Sequence, residues 1–216
     1  MRVIGINGSP RREWNTAQMV EHALRGAADA GAETKLYHLR DFSFKGCVSC
    51  FACLLLGAPT HGRCSYNDAL KPVLDDILAA DALILGSPVY FGDVTAGMRA
   101  LLERLWFGGL AYDPAHFTRY ERRIPVKVIL TTNAPAEGFH TSLNKGIVAT
   151  MSRFFGPTEI IEANDTLQFD DYARYDAAMF DVEAKKRGRA ERFPKDLERA
   201  YETGKRAAAE ATEQAS

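Results

Sequence analysis

The chain has 216 residues, of which 46% are apolar and 25% charged, and this is enough for one sizeable hydrophobic core without a metal or a disulfide. Its 27 basic and 28 acidic residues leave a formal net charge of −1, so no bulk positive field attracts nucleic acid or anionic lipid. The apolar runs are too short to span a membrane, and the first of them leads directly into the polar segment 7–10. We therefore predict a soluble, cytoplasmic protein, in which an anionic ligand would have to be bound by a local set of donors rather than by overall charge.

Short β-type segments alternate with longer segments of helical periodicity, which predicts a parallel sheet covered by helices on both faces. Strands are predicted at 2–6, 33–39, 82–86, 124–131 and 158–163. Helices are predicted after residue 15 or 16, after a cap at Asn67 or Asp68, around 98–105, over 143–155 and over about 194–211.

The charged, alanine-rich end of the chain is predicted to extend the same domain. Residues 1–170 form the main part, which carries a cysteine-rich insert at 45–66, and residues 171–216 form a helical C-terminal extension. The basic run 185–189 has acidic residues nearby. We interpret it as a solvated turn or helix end rather than as a nucleic-acid patch.

Three predicted loops follow the carboxyl ends of strands, where an open parallel sheet binds its ligands. They span 7–16, 87–95 and 131–142, and each has an unusual composition. Because these ends meet at one edge of the sheet, the joint position of the loops predicts a ligand site.

The first loop carries groups suited to a terminal phosphate monoester. Ser9, Asn15 and Thr16 offer side-chain donors beside the free amides of a helix N-terminus, and Arg11 adds a forked positive charge. The alternative is an ordinary strand-to-helix connection with an N-cap. The loop matches neither the GxGxxG dinucleotide pattern nor the GxxxxGK[ST] triphosphate loop.

The other two loops carry groups suited to a flat heteroaromatic ring. Residues 87–95 combine a stiff proline with Tyr90 and Phe91, and the alternative is that these aromatic residues belong to the core. Thr132 and Asn133 offer hydroxyl and amide groups to the polar edge of such a ring. No Cys/His or Ser/His/Asp arrangement is visible, so we assign no catalytic side chain.

Four cysteines lie close together in the sequence, with Cys47, Cys50 and Cys53 spaced as C-x₂-C-x₂-C and Cys64 following after ten intervening residues. Three thiolates at that spacing suit one face of an iron–sulfur cubane, and a fourth completes the set. Two alternatives stay open. The first is a zinc site, although zinc usually uses two separated C-x₂-C pairs. The second is a set of free or redox-active thiols that bind no metal, which would include a disulfide between Cys53 and Cys64 under oxidation.

Three features stand out together: residues 8–11 with Asn15 and Thr16, the segment 87–92, and the cysteine run between them. In combination they resemble the NADPH-dependent FMN reductase group of flavodoxin-like proteins. Within that group the chain is most similar to the iron–sulfur flavoproteins. The resemblance covers about residues 1–165. It implies a three-layer, doubly wound α/β fold of the flavodoxin-like type, with a five-stranded parallel sheet in the order 2-1-3-4-5. It also implies FMN as cofactor and a homodimer or homotetramer.

The resemblance also implies roles for particular residues. The phosphate would be held by Ser9, Arg11, Asn15 and Thr16, and the isoalloxazine would be flanked by Pro88, Val89, Tyr90, Phe91 and Gly92, with Thr132 and Asn133 at its pyrimidine edge. A 4Fe–4S cluster would be bound by Cys47, Cys50, Cys53 and Cys64.

We therefore expect an FMN-dependent oxidoreductase that moves electrons from NAD(P)H or a reduced ferredoxin-type donor, through FMN and a 4Fe–4S cluster, to a small-molecule or protein acceptor. No nucleic-acid or membrane partner is expected. The alternative is a non-enzymatic, flavodoxin-like electron carrier, although the near-neutral charge disfavours the acidic docking surface that it would need. A cofactor-free binding module on the same fold is a third class.

Overall fold

A mainly parallel sheet organises the chain, and the computed structural model describes residues 1–135 and 138–215. The strands are β1 (Arg2–Asn7), β2 (Glu33–His38), β3 (Ala82–Tyr90), β4 (Asp93–Val94), β5 (Val126–Thr131) and β6 (Thr158–Ala163). The parallel strands lie in the order β2-β1-β3-β5-β6, which confirms the predicted order. Strand β4 lies outside this order, since it pairs antiparallel with the end of β3.

Helices cover both faces of the sheet, as the alternating pattern predicts. They are α1 (Asn15–Asp29), α2 (Lys71–Leu78), α3 (Ala96–Gly109), α4 (Thr141–Phe154), α5 (Val182–Glu191) and α6 (Phe193–Ala215). One hydrophobic core packs α2, α3 and α4 on one face, and a second packs α1 and α6 on the other. Strand β5 is buried along its whole length, which fits a strand covered on both sides.

Helices α1 and α6 approach each other closely at two glycines. A Cβ atom on Gly26 would lie 2.0 Å from the carbonyl oxygen of Tyr201, and one on Gly204 would lie 1.8 Å from that of Ala23. These distances are far shorter than any real contact, so only glycine fits at these positions. The contact places the carboxyl-terminal helix against the sheet-covering helix that starts at the first loop.

The structure corrects three predictions about elements. Helix α2 begins at Lys71 with Leu70 rather than Asn67 or Asp68 at its N-cap, although the Asp68 carboxylate accepts from the Leu70 amide at 3.1 Å as well as pairing with Arg104 of α3. Strand β3 continues through residues 87–90, which were predicted as loop. The basic run 185–189 was predicted as a solvated turn or helix end; it lies within α5, and its Lys185 is buried and ion-paired rather than solvated.

Positions 136 and 137, within the third predicted loop, lie outside the described residues. Within residues 1–135 and 138–215, no helix combines the length and apolar character needed to cross a membrane.

Candidate functional site

One cavity of about 560 Å³ brings the three predicted loops together at the carboxyl edge of the sheet. Its wall includes Ser9, Arg11, Asn15, Thr16, Pro88, Val89, Tyr90, Phe91, Thr132 and Asn133. Gly92 lies in the adjoining turn rather than on the wall. The volume falls in the range of small-molecule sites. A larger concavity of about 950 Å³ lies near the amino-terminal ends of the strands and contains none of these loops, so it is not the predicted site.

The first loop is held in shape by hydrogen bonds within it and to β3 and the start of α3. The Gly8 amide donates to the Gly86 carbonyl at 2.7 Å, and the Thr95 hydroxyl donates to the Gly8 carbonyl at 2.7 Å. The Ser9 amide donates to Asn7 Oδ1, and Ser9 Oγ accepts from the Arg11 amide. The loop is therefore ordered before any ligand arrives.

The start of helix α1 offers open donors to an anion. Trp14 occupies the N-cap, where its side chain accepts no hydrogen bond from the helix amides, and the first turn has no acidic residue. The first amides of a helix lack intrahelical partners, and the positive end of the helix dipole favours negative charge there. These groups fit a phosphate.

The predicted phosphate residues differ in how freely they can act. Asn15 and Thr16 are buried: Asn15 donates to the Leu167 carbonyl at 2.8 Å, and the hydroxyls of Thr16 and Thr131 lie 2.7 Å apart. Arg11 is exposed, stacks on Trp14 at 3.8 Å and donates to the neutral carbonyl of Gln168 at 2.6 Å. Arg11 is thus the side chain that can turn to a phosphate at small cost.

The second loop is the tip of a β-hairpin. Val89 pairs with Val94, and the turn residues Phe91 and Gly92 have φ values of 52° and 82°, as a two-residue type I′ turn requires. Tyr90 is 47% exposed and Phe91 is fully exposed, so the alternative that they belong to the core is wrong. Their rings border the cavity and are free to contact a ligand.

A fourth segment, 166–169, completes the cavity, and the sequence reasoning missed it. Its Leu167 carbonyl accepts from Trp14 Nε1 at 3.0 Å, and its Gln168 side chain accepts from Asn133. Phe169 stacks on Tyr175 with ring centroids 4.1 Å apart. Because this segment also follows the carboxyl end of a strand, β6, the rule that located the other loops would have located it too.

The four cysteines border one small pocket beside helix α3, and none forms a disulfide, so the Cys53–Cys64 alternative is not seen here. The segment 47–64, here named the cysteine loop, turns back through a hydrogen bond from the Gly62 amide to the Cys53 carbonyl at 2.9 Å. Burial raises the pKa of the Cys53 thiol, and its neighbours Cys64, Cys47 and Cys50 raise it further. The thiols are therefore close enough to interact.

Helix α3 holds the cysteine loop at several points. Glu103 accepts from the Cys47 amide at 3.2 Å, Arg104 donates from Nε to Cys64 Sγ at 3.2 Å, and Cys53 Sγ donates to the Phe107 carbonyl at 3.4 Å. No group of three or more His, Cys, Asp or Glu side chains within the described ranges is arranged to hold a single metal ion. A cubane takes one thiolate on each iron, and four free thiols around one pocket fit that donor set in kind and in number.

The strand order and the helices on both faces define an α/β protein of the flavodoxin-like class, and the uncapped α1 terminus and the aromatic hairpin make the cavity at the carboxyl edge of its sheet the candidate ligand site. Solved structures share the fold. They include an NAD(P)H:quinone oxidoreductase from Methanothermobacter marburgensis (TM-score 0.65, 16% identity, 95% of this chain and 98% of that one). An azoreductase from Bacillus anthracis gives a TM-score of 0.67 at 12% identity, with coverage of 95% and 99%.

A family model described as NADPH-dependent FMN reductase matches residues 1–123, and the chain belongs to this family. An iron–sulfur flavoprotein of Methanocaldococcus jannaschii is 41% identical over 104 residues, which cover 48% of this chain and 51% of that protein. One from Archaeoglobus fulgidus is 36% identical, with 48% of each chain covered. These matches confirm the resemblance predicted from the sequence. The matched region spans about half the length of these curated relatives.

Proposed function

We propose that the protein is an FMN-dependent oxidoreductase whose flavin lies in the cavity at the carboxyl edge of the sheet. The observation that carries the proposal is that one cavity brings together an uncapped helix N-terminus, the exposed guanidinium of Arg11, which donates to a neutral carbonyl, and the exposed aromatic hairpin. A phosphorylated, flat ring system needs these three features together. Family membership and the iron–sulfur flavoprotein relatives support the same cofactor.

Each part of the cavity has a role in holding the cofactor. The α1 amides and Arg11 bind the phosphate, while Asn15 and Thr16 shape the wall behind it through their internal hydrogen bonds. The hairpin covers one side of the ring, and Asn133 presents an amide to its polar edge. When bound, FMN supplies the hydride and electron chemistry, and the protein positions it and limits its contact with water.

We further propose that the cysteine loop binds a 4Fe–4S cluster through Cys47, Cys50, Cys53 and Cys64, and that NAD(P)H or a ferredoxin-type protein is the electron donor. The four free thiols around one pocket and the names of the relatives support the cluster. The predicted cytoplasmic location and homo-oligomer belong to this proposal as well. Addition of NADPH to anaerobic protein should bleach the flavin absorbance if NADPH is the donor, whereas a ferredoxin-type donor would bleach it only when the reduced carrier is added.

The phosphate assignment is tested by comparing FMN with riboflavin in Arg11→Ala. A charged hydrogen bond contributes about 1.5–3 kcal/mol, so the variant should bind FMN about 10- to 100-fold more weakly and riboflavin unchanged. Arg12→Ala is the matched control, because Arg12 is paired with Asp41 and does not border the cavity. Flavin fluorescence titration measures each affinity. Protein that binds neither flavin would end the proposal, and equal losses for both flavins in Arg11→Ala would remove the phosphate from this loop.

A further inference from the structure

Arg104 is a buried cation on the apolar face of helix α3. Its side chain is 0% exposed, and it follows Leu101 and Leu102 and precedes Leu105, all of which belong to the core. Burying a guanidinium is costly unless every donor finds a partner. Such a residue is kept in a core for the contacts that it makes.

Arg104 reaches the Lys45 carbonyl just before the cysteine loop at 3.4 Å, and its shorter contacts lie at Cys64 and in the residues that follow it. Nη1 donates to both carboxylate oxygens of Asp68 at 2.7 Å, and Nη2 donates to the Tyr66 carbonyl at 2.8 Å. Nε donates to Cys64 Sγ at 3.2 Å. The Asp68 pair fixes the guanidinium plane, so the third donor has a defined direction, and that direction is the sulfur.

Cys64 is the cysteine that needs such support. The other three lie within seven residues, whereas Cys64 is separated from Cys53 by ten residues that include the positive-φ glycines Gly57 and Gly62. A side chain from outside the loop therefore sets the position of its sulfur. An N–H donor on a cluster sulfur also stabilises the reduced cluster more than the oxidised one, because reduction adds negative charge.

We propose that Arg104 is a positioning residue that places Cys64 as the fourth cluster ligand and raises the reduction potential of the cluster through its Nε–H···S hydrogen bond. This inference rests on the cluster part of the proposed function. It goes beyond that proposal, since it assigns the potential to a residue outside the cysteine motif. The rival explanation is that Arg104 only anchors the loop through Asp68 and Tyr66.

Arg104→Lys and Arg104→Gln separate these explanations when both are reconstituted anaerobically with iron and sulfide. Lysine keeps the charge but lacks the planar fork that reaches Asp68, Tyr66 and Cys64 at once. In Arg104→Gln the equilibrium constant for one-electron reduction should fall about tenfold, which is a shift of about 59 mV to more negative potential. Arg104→Lys should shift in the same direction. Redox titration followed by electron paramagnetic resonance measures the potential, and iron and sulfide per chain measure occupancy.

Arg63→Lys is the matched control, because it makes the same charge-conserving change at an exposed arginine next to Cys64. Glu103→Gln is the control for anchoring, because Glu103 holds the Cys47 amide and touches no sulfur in the described contacts. Neither control should lower the potential. If the Arg104 variants do not fold, wild-type protein labelled with ¹⁵N-arginine should show magnetic coupling between an arginine nitrogen and the reduced cluster.

The outcomes distinguish this inference from the proposed function. If the wild type takes up the cluster but Arg104→Lys and Arg104→Gln have the same reduction potential as the wild type, the role of Arg104 is overturned and the cluster stands. The absence of coupling to an arginine nitrogen in the loaded wild type has the same meaning. A wild type that takes up no iron and sulfide overturns both the cluster and this inference, while flavin binding is judged separately by Arg11→Ala.

Discussion

Lys185 connects the carboxyl-terminal part of the chain to the cofactor cavity. Although it lies in a basic run, it is buried, and its ammonium donates to Asn133 Oδ1 at 2.9 Å and to Asp165 at 2.5 Å. Because the Asn133 oxygen is taken by Lys185, its Nδ2 group is directed to Gln168 on the cavity wall. Lys185 therefore sets which way the Asn133 amide faces the cavity.

Lys185→Met should weaken FMN binding about tenfold and lower the free energy of unfolding by about 1–3 kcal/mol. The variant leaves Asn133 Oδ1 without its donor and the partly buried Asp165 carboxylate with Arg192 alone, and a lost hydrogen bond to a charged group costs about this much. Flavin titration and urea unfolding measure the two effects. Lys186→Met is the control, because Lys186 is exposed and pairs with Glu183. Full FMN affinity in Lys185→Met would show that Asn133 does not depend on Lys185.

The sequence was least informative about the burial and the partners of individual side chains. Charge patterning describes a basic run only on average, and it cannot tell which of five neighbours faces inward. Arg104 left a weak signal, since it interrupts the apolar helical face between Leu101 and Leu105. Its partners Asp68 and Cys64 lie far away in the sequence, so the network became visible only when the fold brought them together.

The elements around the cavity were more predictable, because hydrophobic periodicity and the strand-end rule act locally. The start of α1 at Asn15, the buried strands and the three loops all follow from these patterns. The hairpin of β3 and β4 was missed because Pro88 and Gly92 indicate a turn, while the actual turn is confined to Phe91 and Gly92. Helix α5 was missed because its charged surface carries almost no apolar pattern.

Gly204→Ala should separate helices α1 and α6 and lower the free energy of unfolding by about 3 kcal/mol or more, since its methyl group would overlap the Ala23 carbonyl. Gly146→Ala is the matched control in helix α4, where an added methyl group meets no atom within 4 Å. It should raise the free energy by up to about 1 kcal/mol through helix propensity alone. Chemical denaturation of both variants gives the comparison. Similar values for the two would mean that the helices are not in close contact in solution.

For the whole molecule, composition and alternation established the α/β class, while the strand order was an implication of family resemblance. Periodicity carries no information about which strands are neighbours. The division at residue 170 stays a prediction, although α6 contributes Ala200, Ala207 and Ala208 to the same core as α1. The site as a whole could be located because it depends on the shared edge of the sheet. The segment 166–169 and the contacts of Arg104 with the cysteine loop could not be located in this way, because they depend on long-range packing.

Asp76 joins a helix to two strands and so contributes to the pH dependence of the whole fold. Burial alone would raise its pKa, but hydrogen bonds from Lys35 and Tyr37 and the contact with Arg2 together lower it from 3.8 to about 2. A depressed pKa means that the folded state holds the carboxylate in preference to the acid. The stabilisation is therefore complete above about pH 4 and is lost as the pH falls through 2.

Asp76→Asn should lower the free energy of unfolding at pH 7 by about 1–2 kcal/mol, after allowance for solvent screening of a partly exposed group. The difference from wild type should shrink as the pH falls from 4 and vanish only below pH 2. Urea unfolding at a series of pH values measures this. Asp75→Asn is the control, because Asp75 forms an exposed pair with Lys71 within one helix. A difference independent of pH would show that the charge of Asp76 is not what stabilises the fold.

Helix α3 begins directly after its N-cap Thr95, whose hydroxyl holds the first loop, and its later turns carry Glu103 and Arg104 against the cysteine loop. A straight helix lengthens by about 1.5 Å per residue and returns to the same face only after about 3.6 residues. If both cofactors bind as proposed, helix α3 sets the distance that electrons must cross between the FMN and the cluster. An insertion into α3 between these two points would lengthen that distance by about 1.5 Å per residue, and only an insertion close to a whole turn of about 5.4 Å would keep the thiol-holding face toward its loop.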